Sequence, residues 1–584
     1  MLEPRFRWSF PSPGAGPSPE LLLAGGTLGL TERTTGLLAR RGVCDAADLR
    51  AWFADPLDAL HDPHLLPDAD VVLERLARAR AAGETVLVFG DFDADGLTGL
   101  AILVTALRAT GIAVIPYVPS RLDEGHGLSM ASIDAAEQAG ASLICTVDCG
   151  STSVVEVAAA VARGIDVIIT DHHQVPAVVP AALALVNPHR PDSRYPDARL
   201  AGSGVAFKVA QLILGERPGG SAAALDLADL ATIGTVADVA PIVGENRAIA
   251  RIGLERLRGA ARPGISALLE RARVAPADVD LETVAYALAP RLNAAGRVGE
   301  ALDAARLLLA TDAVEAGGYA DALEAANLSR RDLMKTAVSE ARARLVDAGP
   351  DLASATTIVR GPWSVGIVGL VASRLAEDDG RPAIVGADLG DVVRASCRSD
   401  GSLDLGAALT ECSDLFIRHG GHAGAAGFEI ATEHWPEFIR RFGIIASTRG
   451  VPPDPRRALR IDLAIPAIDI DYALHRELAS LAPHGPGNPD PLIAVLGLTV
   501  TRVRAAGTDH TQLTLKRRLD VLDGIAFGRA DIAELVSVGD RIDVVARLTS
   551  RRFGGYESLQ LDVRDAAPAG AHDEAMGLAT AVVA

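Results

Sequence analysis

No uninterrupted apolar run in this chain approaches the roughly 20 residues a membrane-spanning helix needs. The opening stretch, MLEPRFRWSFPSPGAGPSPE, has no apolar signal core either. The expectation is therefore a cytoplasmic protein without a membrane partner. Cysteine is scarce, with five residues in 584 (Cys44, Cys145, Cys149, Cys397 and Cys412). So sparse and odd a set argues against a disulfide framework and suits reduced thiols. Cys145 lies in an apolar run and no second pair follows Cys149, so both read as packing residues rather than metal ligands. An excess of basic charge is also missing. The formal charge of −19 excludes a surface coated in cations, but a local basic groove would still attract phosphates. Part of the acidic excess sits in a few motifs, where a divalent cation would offset it.

The composition, 49% hydrophobic and 22% charged, is that of an ordinary folded protein, and 584 residues are too many for one core. Residues 1–20, rich in Pro, Gly and Ser, read as a flexible N-terminus. Residues 21–82 have helical spacing broken by turn signals at Asp55-Pro56 and Asp62-Pro63, which suggests a helical preface to a sheet. Over 83–245, short β-branched runs alternate with helical stretches, the pattern of an α/β domain with a parallel sheet. Residues 246–350 read as a helical connector. A second α/β domain spans 351–450 and contains a glycine-rich loop, HGGHAGAAGF (419–428). The PPDP stretch (452–455) reads as a linker. Regularly spaced short strands over 456–566 suggest a small β-barrel, and 567–584 a flexible tail. Between Thr499 and Asp565 the chain is nearly neutral, with 11 Arg plus Lys and 10 Asp plus Glu. Its few aromatic residues include Phe527, Phe553 and Tyr556, each a candidate for core packing or for base stacking.

The chemistry concentrates at the ends of apolar runs. Residues 86–99 (VLVFGDFDADGLTG) carry Asp91, Asp93 and Asp95 at alternate positions, just before a helical pattern. Residues 142–150 (SLICTVDCG) end in Asp148, and 165–174 (IDVIITDHHQ) in Asp171, His172 and His173. Asp238 lies in LADLATIGTVADVAP (227–241). Strands that deliver acids and imidazole to one sheet edge build a pocket of like charge, unfavourable until a cation enters it. An oxygen-rich donor set suits Mn²⁺ or Mg²⁺ better than zinc. Asp148, on the middle strand, is placed to bridge two ions about 3.5–4 Å apart. Asp91 can be read as a ligand, as a neighbouring acid or as a turn former.

GDFDADG, VDCG, TDHH and VADVAP resemble the four motifs of the DHH phosphoesterases, and GGHAGAAGF resembles the motif of their DHHA1 domain. SRLDEGHGLS, APRLNAAGR, WSVGIVGLVASRLAE and ASCRS are similar to the RecJ family of single-strand-specific DNA exonucleases. LAPHGPGNPDPL and DGIAFG resemble its OB-fold region. The resemblance runs in order over residues 35–565. It implies a DHH catalytic domain at 83–245, a DHHA1 domain at 351–450 and an OB-fold barrel at 456–566. It further implies that Asp93 and Asp148 hold one ion and that Asp95, Asp148, His172 and Asp238 hold the other, with His173 facing the scissile phosphate. Arg121, Asn293, Arg297, Ser396, Arg398 and His422 would then bind substrate, Arg offering a planar fork to phosphate oxygens. The chain departs from the family pattern at Ser364, where a histidine is usual, and at Phe92 and His126, where tyrosine is usual.

The implied activity is 5′-to-3′ exonucleolytic hydrolysis of single-stranded DNA to nucleoside 5′-monophosphates, in repair and recombination. A helicase and a single-strand-binding protein are implied as partners, and a monomer is the default state. Two rival readings are a DHH phosphodiesterase acting on short oligonucleotides or small nucleotides, and a DNA-binding DHH protein without catalysis. The barrel speaks against the first, and the complete set of acids against the second.

Overall fold

The computed structural model describes residues 2–11, 16–121, 124–347, 355–399, 401–449, 456–553 and 556–572. The chain forms two compact units: Asp55–Val451, and Met1–Ala54 together with Pro452–Ala584.

The larger unit begins with a five-stranded sheet, wholly parallel, in the order Ala113–Tyr117, Thr85–Gly90, Ala141–Val147, Asp166–Thr170, Ala184–Val186. Alternation along the strand Thr85–Gly90 feeds two cores. Val86 and Val88 pack with the helices Ala94–Ala109 and Gly202–Gly215, while Leu87 and Phe89 pack with Met130–Gln138 and Val154–Ala162. The chain leaves Thr85–Gly90 for one neighbour, Ala113–Tyr117, and returns on the other side as Ala141–Val147. The strand order thus reverses between Thr85–Gly90 and Ala141–Val147, where open α/β sheets bind ligands at the carboxyl edge.

Helices follow from Gly244 onward. A π-helical turn, Val284–Leu288, runs into Ala289–Val298, and a 35-residue helix, Ala313–Asp347, leads to the second sheet. That sheet is ordered Phe416–Gly421, Ala425–Ala431, Val392–Arg398, Ala383–Asp388, Thr357–Gly361, and only its last pair is parallel. The HGGHAGAAGF stretch, read from the sequence as a loop, is mostly an antiparallel hairpin: Phe416–Gly421 pairs with Ala425–Ala431. Glycine has low strand propensity, but pairing of Ala425–Ala431 with Val392–Arg398 supplies the missing order.

In the smaller unit, strands Ile493–Ala506, His510–Arg517, Asp520–Ala526, Tyr556–Pro568 and Arg541–Phe553 form a barrel, closed by pairing of Ile493–Ala506 with Arg541–Phe553. Three sequence-based boundaries change here. The N-terminal segment is not wholly loose, because Arg7–Ser9 pairs in parallel with Ala458–Arg460. The 21–82 region divides. Leu21, Leu37, Leu38 and Leu49 share a core with Ile493 and Val544 of the barrel, whereas Val72 and Leu76 of Ala69–Ala82 belong to the core of the larger unit. An apolar helix face does not specify which core it covers. The C-terminal tail begins later than the sequence suggests, since Ala566 and Ala567 are fully buried in the last strand. Residues 452–455 and 573–584, and the side chains of Phe553 and Tyr556, lie outside the described residues.

Candidate metal centre

Four chain segments converge at the carboxyl edge of the parallel sheet. Asp93 is the N-cap of the helix Ala94–Ala109, and its Oδ1 accepts from the N–H groups of Asp95 (3.0 Å) and Gly96 (3.1 Å). Asp95, almost fully buried, faces the start of the helix Gly202–Gly215. Its Oδ2 accepts from Gly202 N–H at 2.6 Å and its Oδ1 from Ser203 N–H at 3.0 Å, a helix N-terminus holding a carboxylate. Asp148 follows Ala141–Val147 with φ at +63°, in the left-handed region an Asp can adopt. His172 Nε2 lies 3.0 Å from Asp148 Oδ1 and 3.9 Å from Asp95 Oδ2, and its Nδ1 lies 3.9 Å from Asp238 Oδ2.

Three overlapping groups of donor atoms lie close enough to share an ion: Asp91, Asp93 and Asp148; Asp95, His172 and Asp238; and Asp148, His172 and His173. The structure thus brings together every residue read from the sequence as a ligand, with Asp148 common to two groups. It also draws in Asp91, left open by the sequence, and His173, which the resemblance turned toward the phosphate.

The electrostatics are those of a cation site. Burial, then the neighbouring Asp91 and Asp95, push Asp93 up to about 6. Burial, with Asp95 and Asp93, pushes Asp238 up to about 8. Burial together with four neighbouring acids pushes Asp148 well above the carboxylate range. Burial lowers His172, favouring the neutral imidazole that binds metal. Asp91 Oδ1 is buried without a hydrogen-bond partner, and Asp148 Oδ1 and His172 Nε2, also buried, have no neighbour to satisfy them beyond each other at 3.0 Å. Such atoms are costly when nothing satisfies them, and hard oxygen donors with one or two imidazoles fit Mn²⁺ or Mg²⁺.

Asp171 is not among the site residues the sequence marks, yet it positions one. Its Oδ1 accepts from the N–H groups of His172 (2.8 Å) and His173 (3.2 Å) and from His173 Nδ1 (2.8 Å), and its Oδ2 accepts from Ser151 N–H (3.0 Å). Burial opposes its charge, but these bonds outweigh burial and hold its carboxyl below the usual range, while raising His173 to about 9. The signal is present in the DHH triplet itself, where an acid two residues before a histidine can orient the ring.

The substrate-binding candidates form one group of guanidinium and hydroxyl donors beside this centre, with two exceptions. Arg121 lies over the Phe92 ring at 4.7 Å, and His126 Nδ1 is 3.0 Å from Asp91 Oδ2. Arg297 Nη1 donates to Gly366 O (3.0 Å), at the start of the helix Val365–Asp379. One turn on, a Cβ on Gly369 would meet Ser396 Oγ at 3.1 Å and Arg398 Nη2 at 3.3 Å. This one helix face therefore gathers Arg297, Ser396 and Arg398, and Arg398 Nη1 also donates to Ser396 Oγ at 3.1 Å. Arg330, on the long helix and unmarked in the sequence, joins them. Burial, then Arg121, Arg330 and Arg398, push Arg297 down to about 9. Among the described residues, none of these four guanidiniums has a carboxylate within 4.0 Å, although Asp93 acts on Arg297 and Arg121 electrostatically. The first exception is Asn293, whose Oδ1 accepts from Ala94 N–H at 2.8 Å and so faces the metal loop. The second is His422, exposed at the hairpin turn. Ser364 caps the helix Val365–Asp379 through its Oγ.

The sequence matches the family model "DHH family, N-terminal domain" over residues 85–235, which, with the acids at the sheet edge, defines a DHH-family protein. It also matches the "DHHA1 domain" over 353–446 and the "RecJ OB domain" over 461–565. The single-stranded-DNA-specific exonuclease RecJ of Bacillus subtilis is 34% identical over 572 residues, covering 97% of this chain and 71% of that protein. Two crystal structures of RecJ from Thermus thermophilus are similar. The Mn²⁺ complex has a TM-score of 0.80 at 30% identity and covers 97% of this chain and 80% of its own; the Mg²⁺ complex has 0.75 at 29%, with 97% and 79%. The chain belongs to the RecJ family.

Proposed function

We propose that this chain is a single-stranded-DNA-specific exonuclease that hydrolyses from the 5′ end and releases nucleoside 5′-monophosphates. The observation that carries the reading is a cluster of acids and imidazole, with buried unsatisfied donor atoms, beside four guanidiniums that lack carboxylate partners. Asp93, Asp95, Asp148, His172 and Asp238 would hold two Mn²⁺ or Mg²⁺ ions, with Asp91 as a further donor. Bound there, the ions supply an activated water and charge neutralisation at the phosphoryl oxygens. The protein's own groups do the rest. Arg121, Arg297, Arg398 and Ser396 seat the terminal phosphate, Arg330 adds positive potential, and His422 closes over the end. His173, oriented by its bond to Asp171, stands at the scissile phosphate with its Nε2 turned to a phosphoryl oxygen.

The barrel, through Phe527 and its near-balanced charge, holds the strand without reading sequence. No helix among the described residues is long and apolar enough to cross a membrane; a cytoplasmic site of action is part of the proposal. A monomer that works after a helicase, on strands managed by a single-strand-binding protein in repair and recombination, fits this chemistry.

The test is a 5′-labelled oligonucleotide with Mn²⁺, with and without EDTA. Labelled mononucleotide released only with metal is the expected product. Long labelled products, or cleavage that persists in chelator, would overturn the reading.

A further inference from the structure

Three N–H groups in the first turn of the helix Ala94–Ala109 take side-chain acceptors. Every α-helix begins with four N–H groups that have no partner within the helix. Here the N–H groups of Asp95 and Gly96 go to Asp93 Oδ1, and the helical ladder itself begins with Leu97 N–H on the Asp93 backbone oxygen at 2.8 Å. Ala94 N–H, which Asp93 does not take, goes to Asn293 Oδ1 at 2.8 Å. Ala94 is fully buried, so solvent cannot replace that acceptor. Asn293 is carried by the helix Ala289–Val298, which lies so close to the metal loop that a Cβ on Gly296 would sit 2.8 Å from the Phe92 carbonyl oxygen. The acceptor is therefore presented from a rigid element at fixed depth.

We infer that Asn293 is a positioning residue of the metal centre, which takes the Ala94 N–H and thereby leaves the second oxygen of Asp93 free for a divalent cation. The inference rests on the metal reading above and departs from the substrate contact that the family resemblance implies for this residue. Without the amide oxygen, a buried N–H either stays unpaired, at the cost of its desolvation, or recruits the nearest acceptor. The adjoining carboxylate is Asp93, whose Oδ1 already carries two bonds. Drawing its carboxylate toward Ala94 turns Oδ2 away from Asp91 and Asp148, the acids with which Asp93 shares a donor group.

Full-length Asn293→Leu, which keeps the branched shape but has no acceptor, and Asn293→Asp, which keeps an oxygen in place, test this. Mn²⁺ affinity is read without DNA from the electron paramagnetic resonance signal of the free ion, and steady-state cleavage is measured alongside. The Leu variant should bind Mn²⁺ about 10–100-fold more weakly, the range seen when a group supporting a metal ligand is lost. Its kcat should fall at fixed sub-saturating Mn²⁺, with KM for the oligonucleotide unchanged, and the Asp variant should recover the Mn²⁺ affinity. Should the Leu variant fail to fold, Asn293→Ala takes its place. Unchanged Mn²⁺ affinity with a raised KM makes Asn293 a DNA contact and overturns the inference, as does failure of the Asp variant to recover. If the wild-type protein binds no Mn²⁺, it is the metal reading that falls instead.

Discussion

Asp171 holds His173 at two points, accepting from its backbone N–H at 3.2 Å and from its ring Nδ1 at 2.8 Å. The ring is thereby turned so that Nε2 is the free donor. Asp171 is itself anchored by Ser151 N–H at 3.0 Å, so the orientation is passed inward to the loop after Asp148. Asp171→Ala should lower kcat about 10–100-fold, as loss of an orienting partner typically does, while oligonucleotide binding persists. Equal kcat in single-turnover cleavage would show that His173 does not depend on this acid.

Asp148 is the most strained of the acids, its charge opposed by burial and by Asp95, Asp93, Asp91 and Asp171. Asp148→Asn removes that charge. Cleavage should be abolished and single-strand binding should remain. In EDTA the variant should melt at a higher temperature than the wild type, because a buried like-charge repulsion is gone. The stabilisation by Mn²⁺, worth about 2.7 kcal/mol when the free ion is at 100 times its Kd, should shrink. A lower melting temperature in EDTA would mean that the cluster is not repulsive when empty.

Much of this centre could be read from the sequence, because each apolar run ends abruptly in an acid and the strand order of a parallel sheet brings such ends together. That logic marks Asp91, Asp93, Asp95, Asp148, Asp171, His172 and His173 together, and the family resemblance chose Asp93, Asp95, Asp148 and His172 among them as ligands. Asp238 does not end a strand. It caps the helix Ala228–Ala237, and only the family motif marked it. The work of Asn293 was hidden for a different reason: it accepts a hydrogen bond from a residue 199 positions away, and no local pattern encodes such a bond. Arg330 was hidden by the periodicity of a long helix, where a half-buried cation looks like a solvated one. The helices before Asp55 show the same limit, since their apolar faces are evident and the core they cover is not.

Gly202 has a steric role that a substitution exposes. A Cβ there would lie 2.5 Å from Asp148 Cβ and 2.6 Å from Asp148 Oδ1, while the Gly202 N–H donates to Asp95. Gly202→Ala cannot be accommodated without displacing one of these acids. Mn²⁺ affinity should fall by about tenfold or more, with far-ultraviolet circular dichroism unchanged. Wild-type Mn²⁺ affinity would show that Asp148 is free to move and is not fixed by the helix start.

Arg297 meets Gly366 O rather than a carboxylate, so its charge remains available to an anion. Arg297→Ala should raise KM for a 5′-phosphorylated oligonucleotide about 10–100-fold, the worth of a hydrogen bond to a charged group. Arg297→Lys should not restore it, because the planar fork is lost. An equal effect on 5′-hydroxyl substrate would move Arg297 away from the terminal phosphate.

Trp8 belongs to the segment whose composition suggested looseness, and its surroundings predict the opposite. Its indole stacks on His572 with ring centroids 4.3 Å apart, and its Nε1–H donates to Asp565 Oδ2 at 2.9 Å. Asp565, in the final barrel strand, is fully buried. It also accepts from Arg5 N–H (3.1 Å), Phe6 N–H (3.0 Å) and Arg529 Nη1 (2.7 Å). One charge is thus satisfied only when residues near both ends of the chain and the barrel meet. Trp8→Ala removes a buried ring and one of the partners of that carboxylate, and losses of this kind cost about 3–5 kcal/mol. The unfolding transition of the barrel-containing unit should move to lower denaturant concentration. Trp8→Phe, which keeps a ring and loses the donor, should recover part of the difference, separating the stacking from the bond. A barrel transition unmoved by Trp8→Ala would mean that the Trp8 ring does not support the barrel, and that Arg529 with the Arg5 and Phe6 N–H groups suffices to hold Asp565 in the core.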